Sequence, residues 1–349
     1  METTASAKRP ALCAMSGQVD SCTVAIDAMG GDRAPGEIVA GALRAVDELG
    51  VRVTLVGREE EVTPLLPDPL PSAVSLLDVR DVIAMDDEPA SAVRKKKDSS
   101  VVRSAQLVKD GAADAMVSAG NTGAAMASAL LRMGRVKGVA RPAIAVVLPV
   151  PGHHPQILCD AGATTDVTPE WLLQNAQMGR EYARVRLGID EPRIGLLSIG
   201  EEPGKGDELR KQAYELLSDV SGFIGNVEGR DFMHPEVDVI VTDGFTGNVA
   251  LKTLEGALRA LANVVFGLFE TTDEMKKAGE VVIPKLLEAA ETFDPDLTGG
   301  AVLLGVDGVC VISHGASSAL AIVKAVGVAA DCVAADVPSR VREAVASAG

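Results

Sequence analysis

Five short glycine-rich segments carry most of the side chains that could do chemistry in this chain. Each combines glycine with Ser, Thr, Asn, Asp, His or Lys, and each follows a short run of β-branched and apolar residues. The segments are Asp27–Asp32, Ser118–Gly123, Ser198–Gly206, Asp243–Asn248 and Ser313–Ser318. Glycine lets backbone N–H groups approach an anion closely, and a following helix adds a favourable dipole. Five such segments together predict a shared site for an anionic ligand.

The segments do not match the common nucleotide or nucleophile signatures. The chain has neither the P-loop pattern G-x-x-x-x-G-K-[ST] nor a good G-x-G-x-x-G fingerprint. It also has no G-x-S-x-G elbow and no Cys–His signature for covalent catalysis. No His and Asp spacing demands a metal ion. The sequence therefore predicts anion binding without a metal or another cofactor.

The role of each polar residue in these segments can be interpreted in two ways. Lys205, between two glycines, is either a solvated loop lysine or a cation for phosphate or a developing oxyanion. Asn121 and Asn248 lie at predicted helix starts, where capping and substrate binding can coexist. Asp27 and Asp32 would repel phosphate, so turn hydrogen bonding explains them at least as well as catalysis. The histidine of the last segment, His314, is either a substrate donor or a residue that orients its loop.

Composition excludes several classes of function. The chain has 349 residues and a formal net charge of −16, which argues against nucleic-acid binding driven by net attraction. No apolar run is long enough for a membrane span, and residues 1–22 are predicted to be a polar tail without a signal peptide. The five cysteines are scattered without a C-x-x-C pair, which is typical of the cytoplasm.

Strands alternate with helices along the rest of the chain. Predicted strands include 23–27, 51–57, 115–118, 143–149, 193–200, 237–243, 301–305 and 309–313. This alternation, in a chain with 3% aromatic residues, predicts an α/β fold with a mostly parallel sheet flanked by helices. We predict one α/β catalytic domain over 23–335, with a helical hairpin-like region at 249–297 broken near 271–273 and at Pro284. Residues 336–349 are predicted to form a C-terminal helix or tail.

Several segments resemble the phosphate acyltransferase (PlsX) family in collinear order. They are IDAMGGDRAP (26–35), SAVRKKKDSS (91–100), SAGNTGAAM (118–126), RIGLLSIGEEPGKG (193–206), FIGNVEGRD (223–231) and VTDGFTGNVALKTLEG (241–256). The resemblance implies a fold similar to the phosphotransacetylases and the isocitrate dehydrogenase group, and a homodimer. It implies transfer of a fatty acyl group from acyl carrier protein to inorganic phosphate, which yields acyl phosphate for phospholipid synthesis.

The motif matches and the residue types together yield a set of candidate site residues. Lys205 and Asn248 are predicted to be catalytic. The residues predicted to bind phosphate or substrate are Asp27, Gly30, Gly31, Asp32, Asn121, Thr122, Gly123, Thr246 and His314. The chain departs from the family pattern at Asp98, Thr164 and Asp207, where the family has Asn.

Two basic patches and one apolar stretch are candidates for contacts with partners. The patches predicted to dock the acidic carrier protein are Arg94, Lys95, Lys96 and Lys97, and Arg132 with Arg135. The stretch 254–269 has apolar residues at helical spacing and is predicted to pack against the core or a dimer partner, or to touch the inner face of the membrane. Two alternative functions are a metal-dependent dehydrogenase on a similar fold and a non-catalytic membrane scaffold for a later acyltransferase.

Overall fold

The structure, a computed structural model, describes residues 22–290, 293 and 295–346. The predicted tail at 1–22 therefore lies almost wholly outside the described residues, as do residues 347–349. The strands are β1 (Thr23–Asp27), β2 (Arg52–Gly57), β3 (Val74–Asp78), β4 (Ala115–Ser118), β5 (Ala143–Leu148), β6 (Gln156–Cys159), β7 (Ile194–Leu197), β8 (Phe223–Val227), β9 (Val239–Val241), β10 (Ala301–Leu304) and β11 (Val309–Ile312).

Helices connect most of these strands. The α-helices are α1 (Gly36–Leu49), α2 (Glu59–Val62), α3 (Pro89–Lys95), α4 (Ser100–Lys109), α5 (Thr122–Arg132), α6 (Pro169–Leu187), α7 (Glu208–Leu217), α8 (Gly244–Leu268), α9 (Asp273–Ala290), α10 (Pro295–Thr298), α11 (Ala319–Ala334) and α12 (Val337–Ala346). Two short 3₁₀ helices cover Thr63–Leu65 and Gly229–Asp231.

All eleven strands belong to one sheet, in the order β3-β2-β1-β4-β11-β10-β5-β6-β9-β7-β8. The first five strands of this order, β3, β2, β1, β4 and β11, run parallel to one another. The last four, β6, β9, β7 and β8, are also parallel to one another. Three antiparallel pairings, through β10 and β5, lie between these two groups. The predicted α/β class with a mostly parallel sheet is confirmed. The two parallel groups, however, point in opposite directions, which the alternation of strands and helices did not predict.

The sheet is covered on both faces, which accounts for its continuous apolar strands. β4 and β6 are buried at every residue. In β1, Val24 and Ile26 join one hydrophobic cluster while the intervening Ala25 points to the other face. Successive side chains of a strand point to opposite faces, so burial on both faces requires apolar residues throughout.

The element boundaries agree with the sequence for most of the sheet. β1 and β4 have the predicted ends, and Gly50 ends α1 with φ 68°, a left-handed conformation that favours glycine. Two strands of the structure, β3 and β8, were not predicted from the sequence, although the motif at 223–231 contains β8. Pro284 was predicted to break the helical region, but it stands inside α9. A proline removes one backbone hydrogen bond, and α9 continues through Pro284 in spite of that loss.

Helices α8 and α9 form the helical region predicted at 249–297. Leu251 and Leu254 of α8 pack against the buried cluster on one face of the sheet. Gly279 of α9 lies so close to α8 that a Cβ there would be 3.1 Å from the Cβ of Phe269. Further along, α8 exposes Leu261, Val264 and Leu268, which identifies the side of the helix that faces away from the core.

Candidate active site

Three of the five glycine-rich segments meet at one edge of the sheet, and we call them the Asp27 cluster. They are Asp27–Asp32 after β1, Ser118–Gly123 after β4 and Ser313–Ser318 after β11, three neighbouring parallel strands. The loops are joined directly, because the N–H of Asp32 donates to the carbonyl oxygen of Gly315 at 2.7 Å. The predicted convergence of strand-end segments therefore occurs for these three.

Asp27 is buried beneath the loops of this cluster, with 2% of its surface exposed. Its carboxylate accepts a hydrogen bond from the hydroxyl of Ser118 at 2.7 Å and another from the N–H of Met29 at 3.3 Å. Burial raises the pKa of Asp27, and hydrogen bonds from Ser100 and Ser118 act against that rise by stabilising the charged form. The structure thus has Asp27 supporting the loops and not facing solvent.

Gly30 and Gly31 allow the loops to approach each other. A Cβ at Gly30 would lie 2.5 Å from Oδ2 of Asp27 and 2.7 Å from the backbone nitrogen of Gly120. Gly31 has φ 112° and would place a Cβ 3.0 Å from the carbonyl oxygen of Gly315. A side chain at either position would push the loops apart. These glycines account for the close backbone packing of the three loops.

Asn121 caps α5, as its position in the sequence predicts. Its Oδ1 accepts from the N–H of Ala124 at 3.0 Å, while Nδ2 donates to the carbonyl oxygens of Met85 at 2.9 Å and Asp87 at 3.2 Å. Gly123, in the same turn, lies against Pro89, where a Cβ would be 2.7 Å from the proline ring. The side chain of Asn121 is therefore committed to anchoring a neighbouring loop.

Three predicted residues of the Asp27 cluster face solvent: Asp32, Thr122 and His314. Nδ1 of His314 accepts from the N–H of Ala316 at 3.2 Å, which orients the ring on its own loop. Because Nδ1 is the acceptor, the neutral ring carries its proton on Nε2, where it can donate to a ligand. Both readings of this histidine are thus compatible in one geometry.

The other two segments lie at the opposite edge of the sheet. We call them, together with Asp160–Thr164 after β6, the Lys205 cluster, and its ranges are Asp160–Thr164, Ser198–Arg210 and Asp243–Asn248. They follow β6, β7 and β9, which are parallel to one another but opposite in direction to β1, β4 and β11. The five predicted segments therefore form two clusters and not one.

Asp243 and Arg210 join two loops of the Lys205 cluster. Asp243 caps α8 by accepting from the N–H of Thr246 at 2.8 Å, and it forms an ion pair with Arg210. Arg210 Nη2 also donates to the Thr246 hydroxyl at 3.2 Å. Burial works to raise the pKa of Asp243, but the hydrogen bonds from Thr246 and the Arg210 charge outweigh it and hold the pKa below its ordinary value.

Asp207, one of the departures from the family pattern, caps α7. Its Oδ1 accepts from the N–H of Arg210 at 2.9 Å, the role that an asparagine oxygen would also fill. Its Oδ2 forms an ion pair with the Arg210 guanidinium at 3.0 Å. The added negative charge at this position thus has a cation beside it.

The loop containing Thr164, another departure, is held by a buried carboxylate. Asp160 accepts four backbone N–H groups, from Ile144, Gly162, Ala163 and Thr164, at 2.8–3.0 Å. Burial raises the pKa of Asp160, and these bonds partly offset the rise. The backbone of Thr164 thus contributes to the loop whatever its side chain, and its hydroxyl donates to the carbonyl of Pro142 at 3.4 Å.

Lys205 and Asn248 are exposed polar side chains of this cluster that make no hydrogen bond within residues 22–290, 293 and 295–346, and the exposed carboxylate of Glu202 is a third. Lys205 lies in the turn before α7. Asn248 was predicted to start a helix, but α8 begins at Gly244 and Asp243 is its cap, so the Asn248 amide is not used for capping. Its Cβ lies 3.7 Å from the position of a Cβ on Gly162, which places it over the Asp160–Thr164 loop.

The two basic patches belong to different edges. Arg94, Lys95 and Lys97 are exposed beside the Asp27 cluster, whereas Lys96 is half-buried in an ion pair with Asp87 at 2.5 Å. Lys96 also donates to the Val82 carbonyl at 2.9 Å, and its hydrogen bond to Asp87 holds the pKa of that carboxyl below the ordinary value. Lys96 therefore has a local structural partner.

The second patch lies on the edge of the Lys205 cluster. The N–H of Val136 donates to the carbonyl of Gly305, which follows β10 where that strand pairs with the start of β5. Arg135 is exposed and donates to the Ala140 carbonyl, and Arg132 is half-buried at the end of α5. The two basic patches are far apart because α5 runs from the edge with the Asp27 cluster to the opposite edge of the sheet.

Among the described residues, no three or more His, Cys, Asp or Glu side chains are grouped so that they could hold a metal ion. Within the same residues, no helix combines the length and the apolar character needed to cross a membrane.

Comparison with known proteins identifies the family. A family model described as "Fatty acid synthesis protein" matches residues 22–340. A phosphate acyltransferase from Desulfitobacterium hafniense is 49% identical over 317 residues, covering 89% of this chain and 93% of that protein. One from Thermobifida fusca is 45% identical over 330 residues, covering 93% of this chain and 91% of that protein. This chain belongs to the phosphate acyltransferase family.

Solved structures with the same fold support the architecture of this family member. A phosphotransacetylase from Streptococcus pyogenes has a TM-score of 0.62 at 18% identity and covers 90% of this chain and 94% of its own. The EutD phosphotransacetylase from Staphylococcus aureus has a TM-score of 0.59 at 15% identity, with the same coverage. The resemblance drawn from the motifs is confirmed, and neither a dehydrogenase nor a non-catalytic scaffold is favoured.

Sequence reasoning missed three residues that organise the Lys205 cluster. Arg210 and Asp160 were not singled out, and Asn226 was quoted only as part of the motif at 223–231. The spacing of Asp207 and Arg210, three residues apart on a predicted helix, was an available signal for an ion pair. The contact of Arg210 with Asp243 had no such signal, because 33 residues separate them.

Proposed function

We propose that this phosphate acyltransferase family member transfers a fatty acyl group from acyl carrier protein to inorganic phosphate. The products are acyl phosphate and free acyl carrier protein, for use in phospholipid synthesis. The names of its relatives support acyl transfer to phosphate. The observation that carries the proposal is the pair Lys205 and Asn248. Both side chains are exposed, Lys205 on the loop that follows β7 and Asn248 near the start of α8, which follows the neighbouring strand β9.

The reaction needs no protein nucleophile. A phosphate oxygen attacks the thioester carbonyl, a C–O bond forms, the C–S bond breaks, and the proton of hydrogen phosphate passes to the departing thiolate. A thiol has an ordinary pKa of about 8.5, so its thiolate leaves without a strong general acid. The protein then has two tasks, to hold two anionic reactants together and to stabilise the charge that develops on the carbonyl oxygen.

Lys205 and Asn248 are the groups we assign to the second task. The Lys205 ammonium offers a compact positive charge, and the Asn248 amide offers N–H donors to the same oxyanion or to phosphate. Arg210 already pairs with Asp207 and Asp243, so its charge is committed to structure. The hydroxyl of Thr246 donates to Asp243 at 2.8 Å, and its proposed role is to present the first turn of α8 to the ligand.

Phosphate binding is proposed for the glycine-rich loops. In the Asp27 cluster, the exposed groups available to a ligand are Thr122, His314 and the backbone N–H groups of the loops, supported by Gly30, Gly31, Asn121 and Gly123. Asp32 is exposed there too and would oppose an anion. Because the two clusters lie on opposite edges, the attacking phosphate must lie in the cluster that holds the thioester carbonyl. Variants of the Lys205 cluster should therefore raise the KM for phosphate, and an effect confined to the Asp27 cluster would move the reaction there.

Docking of the acidic carrier protein is proposed through a local basic patch. Exposed arginine and lysine side chains attract an acidic partner over about one Debye length even where the whole chain is negative. Arg132 and Arg135 lie on the same edge as Lys205, which favours this patch as the carrier site. Arg94, Lys95 and Lys97 are the second candidate, and Lys96 supports them through its bond to Asp87.

A homodimer and contact with the membrane surface are proposed for α8 and α9. The exposed side chains Leu261, Val264 and Leu268 line one side of α8, and Val281 is exposed on α9. Such a stripe is suited to a second copy of the chain, or to the lipid interface at which an acyl phosphate would be handed on. The proposed location is the cytoplasm, peripherally at the inner face of the membrane.

The decisive experiment is the release of free thiol from an acyl carrier protein thioester. We expect release that depends on inorganic phosphate, with acyl phosphate as the second product trapped by hydroxylamine. Release without phosphate would indicate a thioesterase, and no release in a folded protein would contradict the proposed function. We expect this release without added metal or nucleotide.

A further inference from the structure

Asn226 is a buried amide next to the loop that carries Lys205. It lies on β8, pairs in the sheet with Leu196 of β7, and has 6% of its surface exposed. Strand β7 leads directly into the segment Ser198–Gly206, so Asn226 lies beside the start of that segment. Neither the proposed oxyanion site nor the proposed phosphate site includes it.

The amide of Asn226 and the backbone of Lys205 use the same acceptor. Nδ2 of Asn226 donates to the carbonyl oxygen of Glu202 at 2.9 Å, and the N–H of Lys205 donates to that oxygen at 2.9 Å. At the far side of the turn, the hydroxyl of Ser198 donates to the carbonyl of Lys205 at 3.2 Å. The N–H and the carbonyl of Lys205 are therefore both hydrogen-bonded. Among the described residues, Asn226 has the only side-chain amide that bonds to the backbone of the turn 202–205.

The rest of the Asn226 side chain does not account for an amide at this place. Its Oδ1 is buried and accepts no hydrogen bond from the described residues. An unsatisfied buried acceptor costs free energy, so an apolar side chain of similar size would suit the fold at least as well. The hydrogen bond from Nδ2 to the Lys205 turn is the interaction that requires an amide.

We propose that Asn226 is a positioning residue that sets the Lys205 turn, so that the Lys205 ammonium points at the reacting carbonyl. The inference rests on the proposed function of Lys205. Asn226 touches no substrate, and its effect passes through the Glu202 carbonyl. A misplacement of a charged group by about 1 Å lowers rates considerably, because electrostatic stabilisation depends on pre-set geometry.

A double-mutant cycle with Lys205 tests the proposal. We expect Asn226→Ala to lower kcat about 10-fold, the effect of about one lost hydrogen bond, with little change in the KM for either substrate. In a Lys205→Ala background, the same substitution should lower kcat by less than 2-fold, since there is no ammonium left to position. Losses that multiply in the double variant would overturn the proposal, and so would a folded Asn226→Ala with unchanged kcat.

Asn175 provides a matched control. It is equally buried at 5% exposure, and its Nδ2 also donates to a backbone carbonyl, that of Thr242 before the other loop. The effect of Asn175 on kcat should be independent of Lys205. The fold losses of kcat caused by Asn175→Ala and by Lys205→Ala should therefore multiply in the double variant. Asn226→Leu, which keeps the number of side-chain heavy atoms and removes the donor, repeats the cycle if the alanine variant is poorly folded.

A second readout does not depend on activity. Backbone hydrogen exchange at Lys205 should be faster in Asn226→Ala than in the wild-type chain, because the shared acceptor is freed to move. Exchange at residues 243–248 should be unchanged. Unaltered hydrogen exchange at the turn would overturn the positioning role of Asn226, whatever reaction the wild-type chain catalyses. Failure of thiol release alone would overturn only the proposed function.

Discussion

Arg210 and Asp243 form an ion pair that connects the first turn of α7 to the N-terminus of α8. The two residues are 33 positions apart in the sequence, and each belongs to a loop that follows a strand of the same parallel group. The pair therefore fixes the Lys205 loop relative to the Asn248 helix. The proposed oxyanion site depends on this relationship more than on either loop alone.

The ion pair predicts a pH dependence of stability. The folded-state pKa of Asp243 is depressed, so its contribution is present above the unfolded-state pKa of about 3.9 and is lost as the pH falls through the folded value. We expect the free energy of unfolding to fall less steeply between pH 5 and pH 3 in Asp243→Asn than in the wild-type chain. Urea denaturation at several pH values measures this.

A matched control for that measurement is Glu255→Gln. Glu255 pairs with Lys252 at 2.8 Å on the exposed surface of α8, where an ion pair contributes little. Its pH profile should follow the wild-type profile. Parallel profiles for wild-type and Asp243→Asn would contradict a depressed pKa at Asp243.

Lys205 is predicted to act in catalysis and not in folding. Lys205→Ala should lower kcat by about 100- to 1,000-fold, the usual effect of removing one electrostatic donor from an oxyanion site. Lys205→Arg should recover part of the loss, because a planar guanidinium replaces a compact charge. Since the side chain is exposed and unpaired among the described residues, the melting temperature should not change. A near-normal kcat in folded Lys205→Ala would move the assignment to Asn248.

Carrier-protein docking is predicted to be stronger at the patch on the Lys205 edge. Reversing Arg132 and Arg135 to Glu should raise the KM for acyl carrier protein about 10-fold and weaken its salt dependence, while activity on a small acyl thioester survives. Reversing Arg94, Lys95 and Lys97 is the comparison, and it omits Lys96 because Asp87 would lose its partner. A larger effect from the second set would place docking beside the Asp27 cluster.

Melting curves are the control for both charge reversals, since Arg135 also donates to the Ala140 carbonyl. Equal losses on the carrier thioester and on the small thioester would indicate damage to the active site and contradict a docking role. Steady-state kinetics at two salt concentrations distinguish these outcomes.

The exposed side of α8 is predicted to be an interface. Leu261, Val264 and Leu268 are 61%, 64% and 52% exposed, whereas Val265 and Phe269 are half-buried. Changing the three exposed residues to Asp should dissociate the oligomer in sedimentation if this side joins two copies. If it contacts lipid, the variant should stay oligomeric and no longer float with anionic liposomes.

A control elsewhere on the helix is Arg259→Glu, which should change the oligomer little, since Arg259 is exposed outside the apolar stripe. Unchanged sedimentation and unchanged flotation in the triple variant would contradict both roles for this side of α8. The half-buried residue Phe269, which contacts Gly279 of α9, is unsuitable for the test because its replacement would disturb the hairpin.

Local sequence was enough to predict most strands, the cap of α5 and the glycine-rich loops. β1 and β4 have their predicted ends, and Asn121 caps α5 as expected, because apolar runs, caps and turns depend on residues close together in the chain. The motifs likewise were enough to identify the family. The role of Asn248 was read wrongly in one respect, since α8 begins four residues earlier, at Gly244.

Strand direction was decided only by the tertiary structure. Each glycine-rich segment follows a strand whichever way that strand runs, so the sequence could not separate the loops after β1, β4 and β11 from those after β7 and β9. The antiparallel strands β10 and β5 reverse the sheet between the two groups and send the loops to opposite edges. Contacts such as Arg210 with Asp243, and Asn226 with the Lys205 turn, arise because the fold brings distant segments together, and no local pattern encodes them.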